Sequence, residues 1–156
     1  MSFGNFMKVM FYSLVTILFT LFVVAYFMNI MPISFGLHSK IYKSSNVAMD
    51  GYDIVNYFSK KVNKGDLTFN YKLNDLNWFF TNRSNLLAFK ARPDKYIPQF
   101  GGYCPYYVSK GFTHPPDPNV WHIEKGKIYF FSSEENKKLA LSTWEFTLDK
   151  AKSHWK

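Results

Sequence analysis

Residues 9–31 read VMFYSLVTILFTLFVVAYFMNIM, a run of 23 residues without a charged side chain. As a helix rising ~1.5 Å per residue, the run reaches ~35 Å, which is enough to cross a hydrocarbon core ~30 Å thick. Its polar side chains are few: Ser13, Thr16, Thr20 and Asn29. Hydroxyl groups are tolerated in such a helix because they bond back to its own carbonyls. The run therefore predicts a transmembrane helix over 9–31, preceded by a short N-terminal tail, 1–8.

A buried core helix and a cleaved signal peptide are the two alternatives. A core helix is usually shorter and carries a polar stripe, which this run lacks. The apolar part of a signal peptide has ~7–15 residues, fewer than are found here. Ser34 and Gly36, two small residues just beyond the run, keep cleavage open as the alternative to a retained signal anchor. Lys8 on one side and Lys40 and Lys43 on the other nearly balance, so charge does not predict the orientation.

The rest of the chain has the composition of a folded, basic domain. From Pro32 onward there are 18 basic and 11 acidic residues, a net charge of +7. Aromatic residues make up 21% of the chain, which favours a compact domain with aromatic side chains in its core. The single cysteine, Cys104, excludes an internal disulfide framework and any zinc site built from several cysteines. Residues 32–46 are polar and lack a period, which indicates a linker, so 47–156 is predicted to form one domain.

Alternation of polar and apolar side chains predicts two β-hairpins in this domain. Residues 68–73 alternate, and 76–80 follow them after an Asn-Asp turn, which is typical of a hairpin. Residues 120–123 and 127–131 flank the sequence Glu-Lys-Gly and predict a second hairpin.

Capping residues predict the helices. Asp53 is suited to cap a short helical turn, and Thr81 or Asn82 is suited to cap a helix. Ser132 and Glu135 form a capping box in front of the last helix. That helix has an apolar stripe at helical spacing: Leu141, Trp144, Leu148, Ala151 and Trp155. Together with the hairpins, these elements predict an α+β fold: one N-terminal transmembrane helix followed by a small domain of two β-hairpins and two or three helices.

The middle of the domain is rich in glycine and proline. Residues 96–107 (YIPQFGGYCPYY) place two glycines and five aromatic side chains around Cys104. Residues 111–118 (GFTHPPDP) contain too many prolines for a helix or a central strand, so we expect a loop there.

The order of these segments resembles the YHS-domain family, in its membrane-anchored or exported branch. The similarity spans residues 47–155, and its most specific part is the stretch PQFGGYC at 98–104. Further residues that carry it lie at 49–58 (MDGYDIVNYF), 64–65, 78–80 (WFF), 92–96 (RPDKY), 126–129 and 151–155. The resemblance implies a compact YHS-like α+β domain on the exported (periplasmic or extracytoplasmic) side of the membrane. It also implies a link to metal ions, and no generally established enzymatic activity.

The chain departs from the family at one pair of positions. Short YHS modules of metal-handling proteins carry two cysteines at the junction that follows the aromatic strand. The corresponding positions here are Thr81 and Asn85. Hydroxyl and amide groups are poor ligands for soft metals, so the heavy-metal function of those modules is not transferred to this chain.

Cys104, His114 and Asp117 are the candidate metal ligands of the sequence. A thiolate and an imidazole, joined by a carboxylate, would form a mixed site suited to a copper or zinc ion. No spacing rule fixes these three residues together, because they belong to two loops. The alternatives are a buried Cys104 that only packs, a surface His114, and an Asp117 that caps a turn. His122, in a strand pattern, is expected to be exposed or paired across the hairpin.

The sequence predicts a membrane-anchored, non-enzymatic accessory or metal-ion-binding module. One alternative is a thiol-dependent redox sensor or enzyme that uses Cys104. Another is a structural subunit that docks on a larger membrane complex. The expected partners are the lipid bilayer, through 9–31, and a membrane protein or acidic partner for the basic domain. No nucleic-acid partner is expected, and the sequence contains no nucleophile elbow, phosphate-binding loop or dinucleotide fingerprint.

Overall fold

The long N-terminal helix is the first element of the computed structural model, which describes residues 3–28 and 30–155. Helix α1 (Phe3–Phe27) has 25 residues, so it begins before the predicted 9–31 run and includes Lys8 of the predicted tail. The hydroxyls of Ser13, Thr16 and Thr20 bond to helix carbonyls at 2.8–2.9 Å, as expected. Asn29 of the predicted span lies outside the described residues.

Helix α1 is the one helix among the described residues that is long and apolar enough to cross a membrane. None of its residues is buried against the rest of the chain. The core-helix alternative is therefore wrong. A single-pass membrane anchor is compatible with this helix, because length and apolar surface are what a bilayer requires.

The remaining described residues form a small domain of mixed α+β class, as predicted, but with five helices where two or three were expected, because two short helices (93–96 and 105–108) begin at prolines and the last helix is divided in two. Its strands and helices are β1 (Lys43–Ser44), β2 (Val47–Ala48), β3 (Asp66–Leu73), β4 (Leu76–Phe80), α2 (Arg83–Ala91), α3 (Pro93–Tyr96), α4 (Pro105–Val108), β5 (Asp117–Glu124), β6 (Lys127–Phe131), α5 (Glu134–Ser142) and α6 (Trp144–His154). Four 3-10 turns connect them: Ile33–Phe35, Met49–Gly51, Asn56–Ser59 and Gln99–Gly102.

The strands form two sheets. One sheet has four strands in the order β1-β2-β4-β3, in which β3 and β4 are the predicted first hairpin and β2 lies parallel to β4. The other sheet consists of the predicted second hairpin, β5 and β6. Strand β5 begins at Asp117, inside the segment that we expected to be only a loop. Proline is tolerated there because β5 pairs on one side only and its register shifts between Asp117 and Trp121.

Strand β6 lies between two hydrophobic cores. Ile128 and Phe130 face the first core, while Tyr129 and Phe131 face the second, as the two-residue period of a strand requires. The first core also contains Ala48, Ile54, Tyr57, Trp78, Phe80 and Phe89. The second also contains Ile33, Phe100, Tyr103, Cys104, Val108, Ala140 and Ala151. One strand thus joins the hairpin half of the domain to the helical half.

The predicted linker 32–46 is docked on the domain. Pro32 pairs with Phe112, and the Ile33 amide donates to the Gly111 carbonyl at 2.8 Å. Further along, the Tyr42 amide donates to a carbonyl of the 98–104 stretch at 2.7 Å. The folded part of the chain therefore begins close to the end of α1.

The last helix differs from the expectation in two places. Its N-cap is Ser133, whose hydroxyl accepts from the Asn136 amide at 3.1 Å, and not Ser132. The helix is also divided at Thr143, whose φ of −136° is non-helical, into α5 and α6. The apolar stripe survives the break, because Trp144 packs its ring 4.9 Å from that of Tyr129 in the second core.

Candidate functional sites

Cys104 is fully buried at the start of α4. Its amide donates to the carbonyl of His114 at 3.2 Å, and its own carbonyl accepts from the Val108 amide at 3.0 Å. The side chain belongs to the second hydrophobic core. Burial among apolar side chains keeps the Cys104 sulfur away from solvent, and so from a substrate or a metal ion in solution.

His114 and Asp117 each have a local partner. The His114 ring stacks on Tyr107 with centroids 4.4 Å apart, and its Nδ1 lies 3.0 Å from the Pro115 carbonyl, which makes Nδ1 the protonated nitrogen. Asp117 Oδ1 accepts from the amide of Asn119 at 2.8 Å and from its side-chain Nδ2 at 3.1 Å. Asp117 therefore caps a turn.

The three predicted ligands do not assemble into a metal-binding group. Across residues 3–28 and 30–155, no set of three or more His, Cys, Asp or Glu side chains lies in an arrangement that would hold a metal ion. The backbone bond between Cys104 and His114 brings their two loops together, but the side chains serve a core, a stacked ring pair and a turn. His122 lies opposite Tyr129 across the second hairpin, as expected for a paired strand residue.

Asp53 forms the most connected polar site of the domain. It is fully buried, and its Oδ1 accepts from the amides of Val55 and Asn56 at 2.9 and 3.4 Å. Its Oδ2 accepts from the amide and hydroxyl of Thr81 at 2.7 and 2.8 Å and from Asn85 Nδ2 at 2.7 Å. Five donors thus surround one carboxylate, which links the Asn56–Ser59 turn, the end of β4 and the first turn of α2.

Thr81 and Asn85, the positions where the family's metal modules carry cysteines, both belong to this network. The Thr81 hydroxyl and the Asn85 side-chain amide both donate to Asp53 Oδ2, so these two side chains bind a carboxylate of the chain itself. Capping by Asp53 was predicted from the sequence, whereas its bonds to residues 28 and 32 positions away had no sequence signal.

Two stretches of left-handed backbone lie within the segments 49–58 and 98–104. Met49, Asp50 and Gly51 have φ of 50°, 52° and 79°. The second stretch comprises Phe100, Gly101 and Gly102, with φ of 51°, 61° and 89°. Runs of three such residues are rare outside tight, functionally or structurally constrained turns.

The glycines of the second stretch are required by close packing. A Cβ on Gly101 would lie 2.1 Å from the carbonyl oxygen of Lys40, and one on Gly102 would lie 2.5 Å from Met49 Sδ. The Gly101 carbonyl in turn accepts from the Tyr42 amide at 2.7 Å. The two motifs therefore hold the docked linker against the domain.

A shallow groove opens beside the first stretch. The Tyr42 hydroxyl donates to Asp50 Oδ2 at 3.1 Å, and burial, followed by the charge of Asp50, raises the pKa of Tyr42 to about 12. Lys64 Nζ lies 5.5 Å from the ring centroid of Tyr52, and both residues line the groove. A protonated phenol, a carboxylate and an ammonium can bind a polar ligand, but they do not form a nucleophile with an adjacent base.

Comparisons of this chain with protein-family models, with curated proteins and with solved structures find no match. The similarity to the YHS-domain family therefore rests on the motif residues alone.

Proposed function

We propose that this chain is a membrane-anchored, non-enzymatic accessory protein with a YHS-like domain. The observation that carries the proposal is the exposed apolar helix α1, which is followed almost directly by a folded domain. A protein with this arrangement acts at the membrane in which its helix is anchored. By the family resemblance, the domain is on the exported side of the membrane.

The environments of the candidate reactive groups favour a non-enzymatic function. Cys104 is buried in an apolar core, and the Asp53 carboxylate accepts five hydrogen bonds. A general base or nucleophile must reach a substrate, either directly or through one water molecule. Both side chains instead stabilise the fold. A surface that binds a membrane protein or an acidic partner suits the net charge of +7 carried by 18 basic and 11 acidic residues from Pro32 onward.

The anchor is tested on the full-length chain. We expect the protein to remain in the membrane fraction through high-salt and alkaline washes, and its intact mass to include α1. Release by salt, or a mature chain that begins near Leu37, would contradict the proposal. Co-purification in mild detergent then identifies the membrane complex on which an accessory domain depends.

Metal binding is the second form of the proposed function, and titration decides it. Copper or zinc is titrated into wild type, Cys104→Ser and His114→Ala, and His122→Ala is the matched control. A metal module requires wild type and His122→Ala to bind equally and the other two variants to bind more weakly. Equal affinity in all four proteins, or none in any, would leave an accessory domain without a metal site. Rapid labelling of Cys104 by a thiol reagent in the folded protein would instead support the redox alternative.

A further inference from the structure

The connection between α1 and the domain is very short. Helix α1 ends at Phe27, and Met31 is already paired with Thr113 through three bonds. The Met31 amide donates to Thr113 Oγ1 at 3.2 Å, and the Met31 carbonyl accepts from the amide and the hydroxyl of Thr113 at 2.9 and 3.3 Å. Four residue steps span at most ~14 Å, even when fully extended. The Ile30 amide also donates back to the Ala25 carbonyl at 2.9 Å, so Ile30 lies beside the last turn of α1. The part of the domain around Thr113 therefore lies next to the end of the helix.

Three large apolar side chains are exposed around this junction. The exposed fractions are 59% for Phe35, 65% for Leu37 and 41% for Phe112. Phe112 pairs with Pro32, and Phe35 lies in the turn anchored by Ile33. Leu37 lines a cavity of about 360 Å³ together with the last residues of α1. Single exposed apolar residues need no explanation, but a group beside a membrane anchor indicates an interaction surface.

Apart from histidines, the charged side chains that line the cavities beside Leu37 and Phe112 are lysines. Lys43 lines the same cavity as Leu37, and Lys110 lies beside Phe112 in a second cavity, of about 450 Å³. The two segments that build this surface, 30–49 and 95–116, contain no Asp or Glu. Lysines at the level of lipid headgroups are attracted to phosphate, and carboxylates at the same place would be repelled.

We propose that this surface, formed by Phe35, Leu37 and Phe112 with Lys43 and Lys110, rests on the bilayer that α1 spans. The apolar side chains enter the boundary between headgroups and acyl chains, and the lysines lie at the phosphates. The domain is then held in one orientation on the membrane, with the rest of its surface turned to its partner. The inference depends on the proposed membrane anchor, because a cleaved or non-spanning α1 would leave the surface free.

Site-directed spin labels on the full-length chain in phosphatidylcholine–phosphatidylglycerol vesicles test the inference. Labels are placed by Phe35→Cys, Leu37→Cys and Phe112→Cys, and their accessibility to oxygen is compared with that to a water-soluble nickel complex. Leu67→Cys is the matched control, because Leu67 is 72% exposed on β3, at the sheet edge opposite β1. We expect the oxygen-to-nickel ratio at the three test sites to exceed that at Leu67 several-fold.

Equal ratios at the test and control sites would overturn the inference and would leave this surface free for a protein partner. The lysines are tested separately by Lys43→Glu combined with Lys110→Glu, which should lower the ratio at the Leu37→Cys label. An unchanged ratio would exclude their role. Since buried Cys104 can react in a loosened variant, each measurement is repeated with Cys104→Ala.

Failure of the anchor is distinguishable from failure of this surface. A chain that washes off the vesicles refutes the membrane anchor itself. A chain that stays bound while its labels remain in water refutes only the contact proposed here.

Discussion

Replacing Asp53 by asparagine removes a buried charge and keeps the volume of the side chain. Asparagine retains one oxygen and introduces an NH2 group, which must face one of the two donor sets that now surround the carboxylate. The less costly orientation places NH2 toward the amides of Val55 and Asn56, because the other oxygen accepts from three donors, all within 2.8 Å. The Val55 amide then loses its acceptor in a buried site, whereas the Asn56 amide keeps its bond to the Asp53 carbonyl at 3.1 Å.

A buried donor without an acceptor costs ~1–3 kcal/mol, so the free energy of unfolding should fall by that amount. Small domains have ~5–15 kcal/mol in total. In a domain of this size we expect the thermal midpoint to fall by roughly 4–15 °C. The loss should be concentrated where Asp53 joins the Asn56–Ser59 turn to α2.

Tryptophan fluorescence of the full chain in detergent follows this unfolding, because Trp78 lies in the first core beside Phe89 of α2. Asp149→Asn, on the exposed side of α6, is the control with the same change of charge. A midpoint for Asp53→Asn that matches Asp149→Asn would refute the conclusion that the carboxylate organises this part of the fold.

Three further changes test other parts of the domain. Trp144→Ala should lower the free energy of unfolding by ~2–3 kcal/mol in denaturant titrations. This is less than the ~3–5 kcal/mol expected for a fully buried tryptophan, because Trp144 is only half-buried. The control, Phe146→Ala at an exposed position, should stay within ~0.5 kcal/mol of wild type. Gly101→Ala should lower the thermal midpoint far more than Gly126→Ala. Both glycines have positive φ, but a Cβ at Gly101 would meet the Lys40 carbonyl, whereas nothing lies within 4 Å of a Cβ at Gly126. Equal losses would contradict the close approach of Lys40. Burial lowers the pKa of His38 below its ordinary 6.5, so its contribution to stability is present above that pH and is lost as the pH falls through the folded value. Between about pH 7 and about pH 5, the thermal midpoint of wild type should therefore fall more than that of His38→Gln.

Local signals in the sequence predicted most of the elements, because each depends on neighbouring residues. The run at 9–31 predicted an apolar helix from length and lack of charge, and α1 is long and apolar, although it begins at Phe3, includes Lys8 and ends at Phe27. Strand β4 was predicted at 76–80 with the observed limits, since an Asn-Asp turn precedes it and the strand that it returns along alternates. The choice between Thr81 and Asn82 as helix cap is resolved as Asn82, whose side chain accepts from the Asn85 amide.

Contacts between distant residues were not predictable in this way. Met31 and Thr113 are 82 positions apart, and their bonds join the backbone of Met31 to the hydroxyl and the amide of Thr113, a pairing that leaves no periodic pattern in the sequence. The polar composition of 32–46 therefore indicated a free linker. The metal site failed to assemble for a related reason: Cys104 and His114 do come together, but through backbone atoms, while their side chains point to separate surroundings.

The residues that suggested a family are used here to shape the backbone. The motif at 49–58 supplies three left-handed residues and the buried Asp53, and the motif at 98–104 supplies three more left-handed residues and the buried Cys104. Their close approach, with Gly102 against Met49, explains why glycine is needed at position 102. Because these residues shape the backbone, we expect the domain to bind a partner through its exposed surface. If α1 spans the membrane as proposed, the surface beside it is the part of the domain nearest the bilayer, because the helix ends only four residues before Met31, which is bonded to Thr113.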